Sequence, residues 1–347
     1  MHTYKAVIVG LTGIGARRST EAAHLPIYGP MPRSHAAAYY RHPQTEVVAV
    51  CDIRQEALDN FRREWQDVWP EVRCYTDYQA MLANEQPDLV SVATPDHLHA
   101  DITVAAAQGS AKAILCEKPI ATTLADADRM IAAAEANNVL LSIEHTRRWS
   151  PIFLAARDLI RSGEVGVLRG ITANIYSPRS MLFRNGTHLI DMICFFADAD
   201  PQWVFAELEE GFEHFTEYKS DGGHDPATDP AASAYIHFAN GVRAFYNGLK
   251  VTMPGSQFDL LCDKGRLEVS DRGLDLIQGQ AHTAWARANI PSGDYMQSYQ
   301  LGAVAELIQV LEEGGALISP AREARKTLAI MLAILKSHEL GNVRVEV

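Results

Sequence analysis

The sequence predicts two domains, an α/β domain with a doubly wound parallel sheet followed by an α+β domain with an antiparallel sheet. Residues 1–146 alternate short β-branched runs with alanine-rich helical patterns, and this alternation indicates a parallel sheet covered by helices on both faces. Residues 147–347 contain longer strand-like stretches that follow one another without intervening helices, which is typical of an antiparallel sheet. A chain of 347 residues is long enough for two such domains.

Individual elements follow from the periodicity. In the first domain, buried-strand patterns occur at Val7–Gly10, Val47–Cys51, Leu89–Ala93, Ala113–Cys116 and Leu140–Glu144, with helical patterns at Ile102–Gln108 and Ala125–Ala136. In the second, the predicted strands are Leu168–Tyr176, Ala232–Ala239, Arg243–Asn247, Phe258–Leu261 and Arg266–Val269, and the predicted helices are Pro151–Arg161, Leu301–Glu312 and Ala321–His338. The acidic, weakly periodic stretch Phe205–Pro230 predicts a long loop.

Composition excludes several classes of protein. The formal net charge is −12 and no basic cluster is present, so nucleic acid and anionic membranes are not expected partners. No apolar run reaches the length of a membrane helix. Because the five cysteines are odd in number and form no CxxC pair, we expect a reduced, cytoplasmic protein.

The first strand runs into a glycine-rich turn, Gly10-Leu-Thr-Gly13-Ile14-Gly15. Such a turn lets backbone amides approach a pyrophosphate at a helix N-terminus. The second strand ends in Asp52, where an acid would hold the ribose hydroxyls of NAD. The two signals together predict a dinucleotide site, and the alternative is an α/β sheet without a nucleotide.

Asp52 follows Gly15 by 37 residues, whereas about 20 are expected in this motif. The excess lies in the proline-containing segment Ala16–Arg33, which is a poor helix former. Ser34 has the character of an N-cap, and Asp52 follows it by 18 residues. We therefore predict an insertion of about 18 residues between the glycine turn and its helix. It would be a lid, a segment that reaches a neighbouring subunit, or a plain surface loop.

The charge of Asp52 would repel the 2′-phosphate of NADP, so NAD is the preferred cofactor. Arg54 and the pair Arg17-Arg18 could accommodate that phosphate, and NADP stays the alternative.

Ligands of a doubly wound sheet collect at the carboxyl ends of its strands, and Thr94-Pro95 and Glu117-Lys118-Pro119 both fall at such ends. A lysine there can act on a substrate; the alternative is a surface salt bridge with Glu117.

At this point the sequence resembles the glucose–fructose oxidoreductase, inositol dehydrogenase and MocA family (Gfo/Idh/MocA). The resemblance rests on motifs spread over nearly the whole chain. They are the Gly10–Gly15 turn, Asp52, Asp77-Tyr78, Ala93-Thr-Pro95 with His99, Glu117-Lys-Pro119, Arg147-Arg148-Trp149, Gly186-Thr-His188-Leu-Ile-Asp191 and Asp263-Lys-Gly265.

The resemblance implies a Rossmann domain, a large open antiparallel sheet and a homodimer or homotetramer formed through that sheet. It also implies hydride transfer between nicotinamide and a hydroxyl-bearing carbon of a sugar, cyclitol or glycoside. Lys118 and His188 map onto the catalytic acid–base pair, with the Lys118–Pro119 bond expected to be cis. The cofactor would contact Gly10, Gly13, Ile14, Gly15, Asp52, Ile53, Arg54, Thr94, Pro95, His99, Glu117 and Lys118.

Arg148, Arg184, Thr187 and Asp191 are candidate substrate contacts. Arg184 stands where many relatives carry an aspartate, four residues before the histidine; it either binds an anionic substrate group such as a uronate or pairs with an acid or solvent. Asp191 either supports His188 or bonds locally. No metal is expected, since the pair His97 and His99 has no third ligand nearby.

Two other functions stay open at this level. One is an NAD-dependent glycosidase that oxidises and re-reduces its substrate during bond cleavage, and the other is a non-catalytic sensor of sugar and nucleotide.

Overall fold

The computed structural model describes residues 2–18, 32–220, 225–281, 284–291 and 299–347. The chain divides into two compact units, one formed by Met1–Trp149 with Tyr295–Arg322 and the other by Ser150–Asp294 with Glu323–Val347. The two predicted fold classes are confirmed, a parallel sheet with helices in the first unit and a large, mostly antiparallel sheet in the second. The domain boundary between residues 146 and 147 stays a prediction.

Six described strands of the first unit form one parallel sheet in the order β3-β2-β1-β4-β5-β6. This order reverses at β1, and ligands of such sheets bind outside the carboxyl ends of the strands at the reversal. The strands are β1 Tyr4–Val9, β2 Thr45–Cys51, β3 Arg73–Tyr75, β4 Leu89–Val92, β5 Ala113–Cys116 and β6 Leu140–Ile143.

Three helices of this unit begin where the sequence supplies a capping side chain. Ser34, Asp77 and Thr123 each accept a backbone N–H of the first turn that follows, which satisfies a donor with no partner inside the helix. The helices are α1 His35–Arg41, α2 Gln55–Trp65, α3 Tyr78–Glu85, α4 His99–Gln108, α5 Leu124–Ala136 and α8 Tyr299–Glu313.

An apolar core fixes α1, α2 and α8 in this unit. It includes Ile8 of β1, Trp65 of α2 and Val304 of α8, all buried. Phe61, Trp65 and Trp69 stack, with 4.8 Å between the two tryptophan ring centroids. Burial of large aromatic rings at this density stabilises the helices around the sheet.

Nine described strands of the second unit form a sheet in the order β14-β13-β12-β11-β7-β10-β9-β8-β15. The pair β7 and β10 is parallel, and the other pairs are antiparallel. The strands are β7 Leu168–Tyr176, β8 Pro201–Leu208, β9 Ala232–Phe238, β10 Arg243–Leu249, β11 Gly255–Cys262, β12 Gly265–Ser270, β13 Gly273–Ala281, β14 Ala284–Asn289 and β15 Val345–Glu346.

Three helices accompany this sheet: α6 Pro151–Arg161, α7 Thr187–Ala197 and α9 Ala321–Glu339. Burial alternates along β8, β9 and β10, so one face of the sheet is covered and the other is open. The predicted loop Phe205–Pro230 starts later than expected, because its first four residues continue the alternation of β8. In the described part of the chain, no helix is both long and apolar enough to cross a membrane.

Candidate active site

The glycine turn after β1 is sterically compressed on one side and open on the other. A Cβ at Gly10 (φ +94°) would overlap the backbone carbonyl of Ala93, and a Cβ at Gly15 would overlap the Gly10 carbonyl. At Gly13 (φ +36°) nothing lies within 4 Å of the position a Cβ would take. The turn therefore packs tightly on β4 and leaves backbone exposed at Gly13 for a ligand to approach.

Helix α1 joins this turn directly in space, although it begins at His35. The backbone N–H of His35 donates to the Ile14 carbonyl at 2.9 Å, and that of Ala36 donates to Gly15 at 3.0 Å. Ile14 and Gly15 therefore lie directly against the start of α1, as the predicted insertion between the turn and this helix requires. Residues 19–31 of the predicted insertion lie outside the described residues.

Asp52 lies at the carboxyl end of β2 and is held by neighbouring donors. Its carboxylate accepts the Leu11 N–H and the Arg54 N–H, each at 3.0 Å, and the Arg54 guanidinium at 3.2 Å. Burial acts to raise the pKa of Asp52, but the hydrogen bonds from Arg54 and Leu11 outweigh it and the net shift is downward. The group is an ionised carboxylate whose charge Arg54 partly balances.

A cavity of about 340 Å³ lies beside the glycine turn. Its wall combines the turn with the start of α2; among the lining residues are Thr12, Gly13, Arg17, Arg54 and Asn60. Of the predicted cofactor contacts nearby, Ile14 is half-buried, while Ile53 is 83% exposed.

Two loops follow β4 and β5 at the same edge of the sheet. Thr94 follows β4, and its Oγ1 is buried without a hydrogen-bond partner among the described residues. Pro95 after it is exposed. His99 is fully buried, and its two ring nitrogens lie 3.0 Å from the Thr94 carbonyl and 2.9 Å from the Pro119 carbonyl. The ring thus connects the two loops.

Glu117 and Lys118 follow β5, with exposed fractions of 8% and 9%, and the Lys118–Pro119 peptide is cis as expected. Glu117 Oε1 lies 3.2 Å from Nε2 of His35, and Glu117 Oε2 accepts the Lys118 N–H at 3.3 Å. Burial acts to raise the pKa of Glu117, but His35, followed by Lys118 and His99, lowers it. Glu117 is therefore an internal carboxylate rather than a surface partner of Lys118.

A buried polar network continues inward from His35. Its Nδ1 lies 2.8 Å from Ser91 Oγ, which in turn lies 2.8 Å from the Tyr39 hydroxyl. Burial raises the pKa of Tyr39, so this hydroxyl stays protonated. Through His35, the network holds Oε1 of Glu117, whereas Oε2 accepts the Lys118 N–H.

Glu144 follows β6, beside Glu117 on the next strand. Its backbone N–H donates to the Cys116 carbonyl at 2.8 Å, so the two glutamates occupy neighbouring strand ends in register. Both Glu144 carboxyl oxygens are buried without a partner among the described residues. Burial first, then the Glu117 and Glu306 carboxylates, raise the pKa of Glu144 well above its ordinary value. The pKa values of the two neighbouring glutamates are therefore shifted in opposite directions.

In the second unit, His188 is the second residue of α7. Every other residue of this helix is buried, and His188 alone is half-buried. A helix that is apolar nearly all round presents one ionisable ring near its N-terminal end. Among the side chains of α7, that of His188 is therefore the most exposed to solvent.

A single turn of π-helix, Leu182–Gly186, precedes α7 and carries Arg184. Buried Asp229 holds it: its carboxylate accepts the Phe183 N–H at 3.0 Å and the Arg184 N–H at 3.0 Å. Tyr246 closes the other side, since its hydroxyl would overlap a Cβ at Gly186. π-Helical turns concentrate at functional sites.

The remaining candidate residues have structural contacts. Thr187 and Asp191 are fully buried, and Asp191 Oδ1 accepts the hydroxyl of Thr327 on α9 at 3.4 Å. Arg148 in the first unit is 2% exposed and donates to the Ile318 carbonyl at 2.7 Å.

The first unit fits a nicotinamide dinucleotide. The uncovered backbone at Gly13, the ionised Asp52 and the orphaned Thr94 hydroxyl lie along one edge of the sheet, where phosphate, ribose and nicotinamide groups find donors and acceptors. The fold and this edge define an oxidoreductase with an NAD(P) cofactor.

The family models agree. The description "oxidoreductase family, NAD-binding Rossmann fold" matches residues 28–145, and the Gfo/Idh/MocA C-terminal domain matches residues 153–268. The chain belongs to the Gfo/Idh/MocA family.

Named relatives include the D-apiose dehydrogenase of Paraburkholderia graminis, 28% identical over 333 residues that span 89% of this chain and 85% of that protein. The inositol 2-dehydrogenase of Salmonella typhimurium is 36% identical over 126 residues, which span 35% of each chain. Among solved structures, levoglucosan dehydrogenase in complex with NADH and L-sorbose has a TM-score of 0.79 at 17% identity, covering 100% of this chain and 99% of that one. This last likeness shows the fold.

Sequence reasoning did not single out His35, Ser91, Tyr39, Glu144 or Asp229. A signal existed for two of them: Ser91 interrupts an apolar strand, and Glu144 ends one. The sequence places Asp229 in the predicted acidic loop Phe205–Pro230, whereas the structure buries its side chain completely.

Proposed function

We propose that the protein is a dehydrogenase or reductase that transfers hydride between nicotinamide and a hydroxyl-bearing carbon of a sugar, cyclitol or glycoside. The observation that carries the proposal is the edge of the parallel sheet, where the glycine turn, Asp52, Thr94 and Lys118 follow neighbouring strands. The names of the relatives, D-apiose and inositol 2-dehydrogenase, support a polyhydroxylated substrate.

The turn at Gly13, Asp52 and Thr94 would hold the cofactor, which when bound accepts hydride from the carbinol carbon or returns it. Ionised Asp52 supports NAD, since a free carboxylate suits ribose hydroxyls. Arg54, paired with Asp52, and Arg17 in the same cavity wall keep NADP as the alternative.

Lys118 and His188 would serve as the acid–base pair. When the C–H electron pair leaves as hydride, the hydroxyl proton passes to the Lys118 amine or the His188 ring, and reduction reverses both transfers. Burial of Lys118 beside Glu117 restricts its orientation, and the isolated accessibility of His188 on α7 suits proton exchange.

Arg184 would select the substrate. Its backbone is fixed by Asp229, so its guanidinium extends from a defined point. An anionic group such as a uronate carboxylate suits a bidentate guanidinium. If this is its role, Arg184→Ala raises KM for acidic substrates and leaves neutral sugars unchanged; an equal effect on both contradicts it.

We also propose a homodimer or homotetramer formed through the open face of the second sheet. Phe205, Tyr235 and Phe245 lie in register across β8, β9 and β10, and two of them are about half exposed. An exposed aromatic stripe of this kind marks an interaction surface. Phe245→Glu should shift the mass measured by light scattering to that of the monomer.

In the described part of the chain, none of the five cysteines forms a disulfide bond, which supports a reducing compartment such as the cytoplasm.

The test of the proposed function is nicotinamide absorbance with purified protein, NAD or NADP, and separate pools of sugars, polyols, cyclitols, uronates and glycosides. Lys118→Ala is the inactive control. An increase in reduced cofactor that the variant loses supports a dehydrogenase, and deconvolution of the active pool identifies the substrate.

Other outcomes identify the alternatives. Release of free sugar from a glycoside without net NADH identifies a glycosidase with internal redox chemistry. Binding of cofactor and sugar without turnover in either direction identifies a sensor.

A further inference from the structure

The hydrogen bonds of His99 define its protonation state. The ring is fully buried as the first residue of α4, with Nδ1 2.9 Å from the Pro119 carbonyl oxygen and Nε2 3.0 Å from the Thr94 carbonyl oxygen. Carbonyl oxygens only accept hydrogen bonds, so each ring nitrogen must carry a hydrogen. Of the forms of histidine, the imidazolium alone donates from both nitrogens.

The two carbonyls belong to the loops that end neighbouring strands. Thr94 follows β4, and Pro119 follows Lys118 at the end of β5. The His99 ring therefore connects the loop that carries the orphaned Thr94 hydroxyl to the backbone that carries Lys118. A neutral histidine could satisfy one of these carbonyls and would leave the other bond without a proton.

The surroundings favour the charged form. Burial acts to lower the pKa of His99, but the Cys116 sulfur, the Asp96 carboxylate and the Thr94 carbonyl raise it from 6.5 to about 10. Asp96 faces the ring from its own turn, and Cys116 faces it from the end of β5. Glu117, whose pKa His99 helps to lower, supplies a second carboxylate from the same loop.

We propose that His99 is a permanent imidazolium and acts as a positioning residue for Lys118, rather than as a ligand of the cofactor. Its two charge-assisted hydrogen bonds fix the backbone next to Lys118 relative to the Thr94 loop. Its positive charge offsets one of the two carboxylates, Asp96 and Glu117, that lie beside it. This inference rests on the proposed function in taking Lys118 as the catalytic lysine.

The same hydrogen bonds bear on metal binding by the His97–His99 pair. Both ring nitrogens of His99 donate, so neither has a lone pair for a metal ion. His97 lies two residues earlier in the same turn and is exposed. It therefore provides a matched control.

The direct test is NMR of the full-length protein labelled with ¹⁵N-histidine, with His99→Gln used to assign the His99 signals. Both ring nitrogens of His99 should remain protonated from about pH 6 to about pH 9. A single nitrogen that loses its proton within this range overturns the proposal. This readout needs no substrate and no activity.

The kinetic test compares His99→Gln with His97→Gln, using the substrate found in the pooled assay. His99→Gln should lower kcat on the order of 100-fold, as expected when a reacting group is misplaced, with the Kd of NAD changed by less than about twofold. The acid limb of its pH profile should move to higher pH, because loss of the neighbouring positive charge favours the protonated Lys118 amine.

His97→Gln should match the wild type in each of these quantities. A parallel loss of kcat and NAD affinity in His99→Gln would instead make His99 part of the cofactor site and overturn the proposal. If no substrate turns over, the proposed function fails while the NMR result still decides the state of His99.

Discussion

Asp229→Ala should destabilise the second unit strongly, although residue 229 lies at the end of a long polar segment. The Asp229 carboxylate is fully buried and accepts the backbone N–H groups of Phe183 and Arg184, both at 3.0 Å. Alanine offers neither donor an acceptor, and the substitution leaves the π-helical turn before His188 without its anchor.

The size of the effect follows from the two orphaned donors. A buried backbone N–H left without a partner costs about 1–3 kcal/mol, so two cost about 2–6 kcal/mol. Folded domains are stable by about 5–15 kcal/mol, so this loss is a large fraction of the total. Because the turn carries Arg184, turnover should fall as well.

The assay is urea unfolding followed by circular dichroism, with Asp225→Ala as the matched control. Asp225 caps the neighbouring turn by accepting the Ala227 N–H at 2.9 Å, but it is exposed, so its loss should cost about 1 kcal/mol or less. If the free energy of unfolding of Asp229→Ala lies within about 0.5 kcal/mol of the wild-type value, the reasoning is refuted, because two buried donors without acceptors are expected to cost more than that.

Three further predictions concern the first unit. Arg54→Ala should reduce the preference for NADP relative to NAD by about tenfold in kcat/KM, because the Asp52 charge is then uncompensated. Gly10→Ala should cost about 3 kcal/mol or more through overlap with the β4 backbone, whereas Gly13→Ala should cost about 1 kcal/mol and raise KM for NAD about tenfold. Glu144→Gln should stabilise the fold more at pH 7 than at pH 5. The pKa of the Glu144 carboxyl is higher in the folded than in the unfolded chain, where it is about 4.3, so the carboxyl contributes its full stability only below that pH. The wild type loses this contribution as the pH rises toward the folded pKa, whereas the glutamine variant does not titrate.

Each of these has a contrary result. An unchanged cofactor ratio in Arg54→Ala would show that Arg54 does not influence the phosphate. Equal stability of the Gly10 and Gly13 variants in thermal unfolding would contradict the packing of the turn. A Glu144→Gln variant whose stability gain is the same at both pH values would mean that Glu144 is ionised in the folded protein.

Much of the fold could be predicted because the spacing of apolar residues along the sequence indicates which residues are buried. The buried runs of β4 and β5 identified the parallel sheet, and Ser34 identified the start of α1 despite the residues that separate it from the glycine turn. The predicted N-cap is confirmed, since Ser34 Oγ accepts the Ala37 N–H at 3.1 Å.

The buried polar network was beyond such reasoning. Ser91 follows His35 by 56 residues, and Glu117 follows Ser91 by 26. The three side chains become neighbours because β4 and β5 pair beside α1. Local sequence patterns do not determine which strand ends will be adjacent in the folded sheet. The sequence likewise cannot distinguish an exposed acid such as Asp225 from a buried one such as Asp229 four residues later.

The central claim of the proposed function is that Lys118 and His188 serve the same substrate hydroxyl as an acid–base pair. A double-mutant cycle with Lys118→Met, His188→Asn and the combined variant tests it through kcat/KM on the identified substrate, with thermal unfolding to confirm that each variant is folded. Groups that act as a unit are strongly non-additive, so the combined variant should lie within about threefold of the more damaged single variant. Losses that multiply in full would contradict the account and separate the two residues into independent roles.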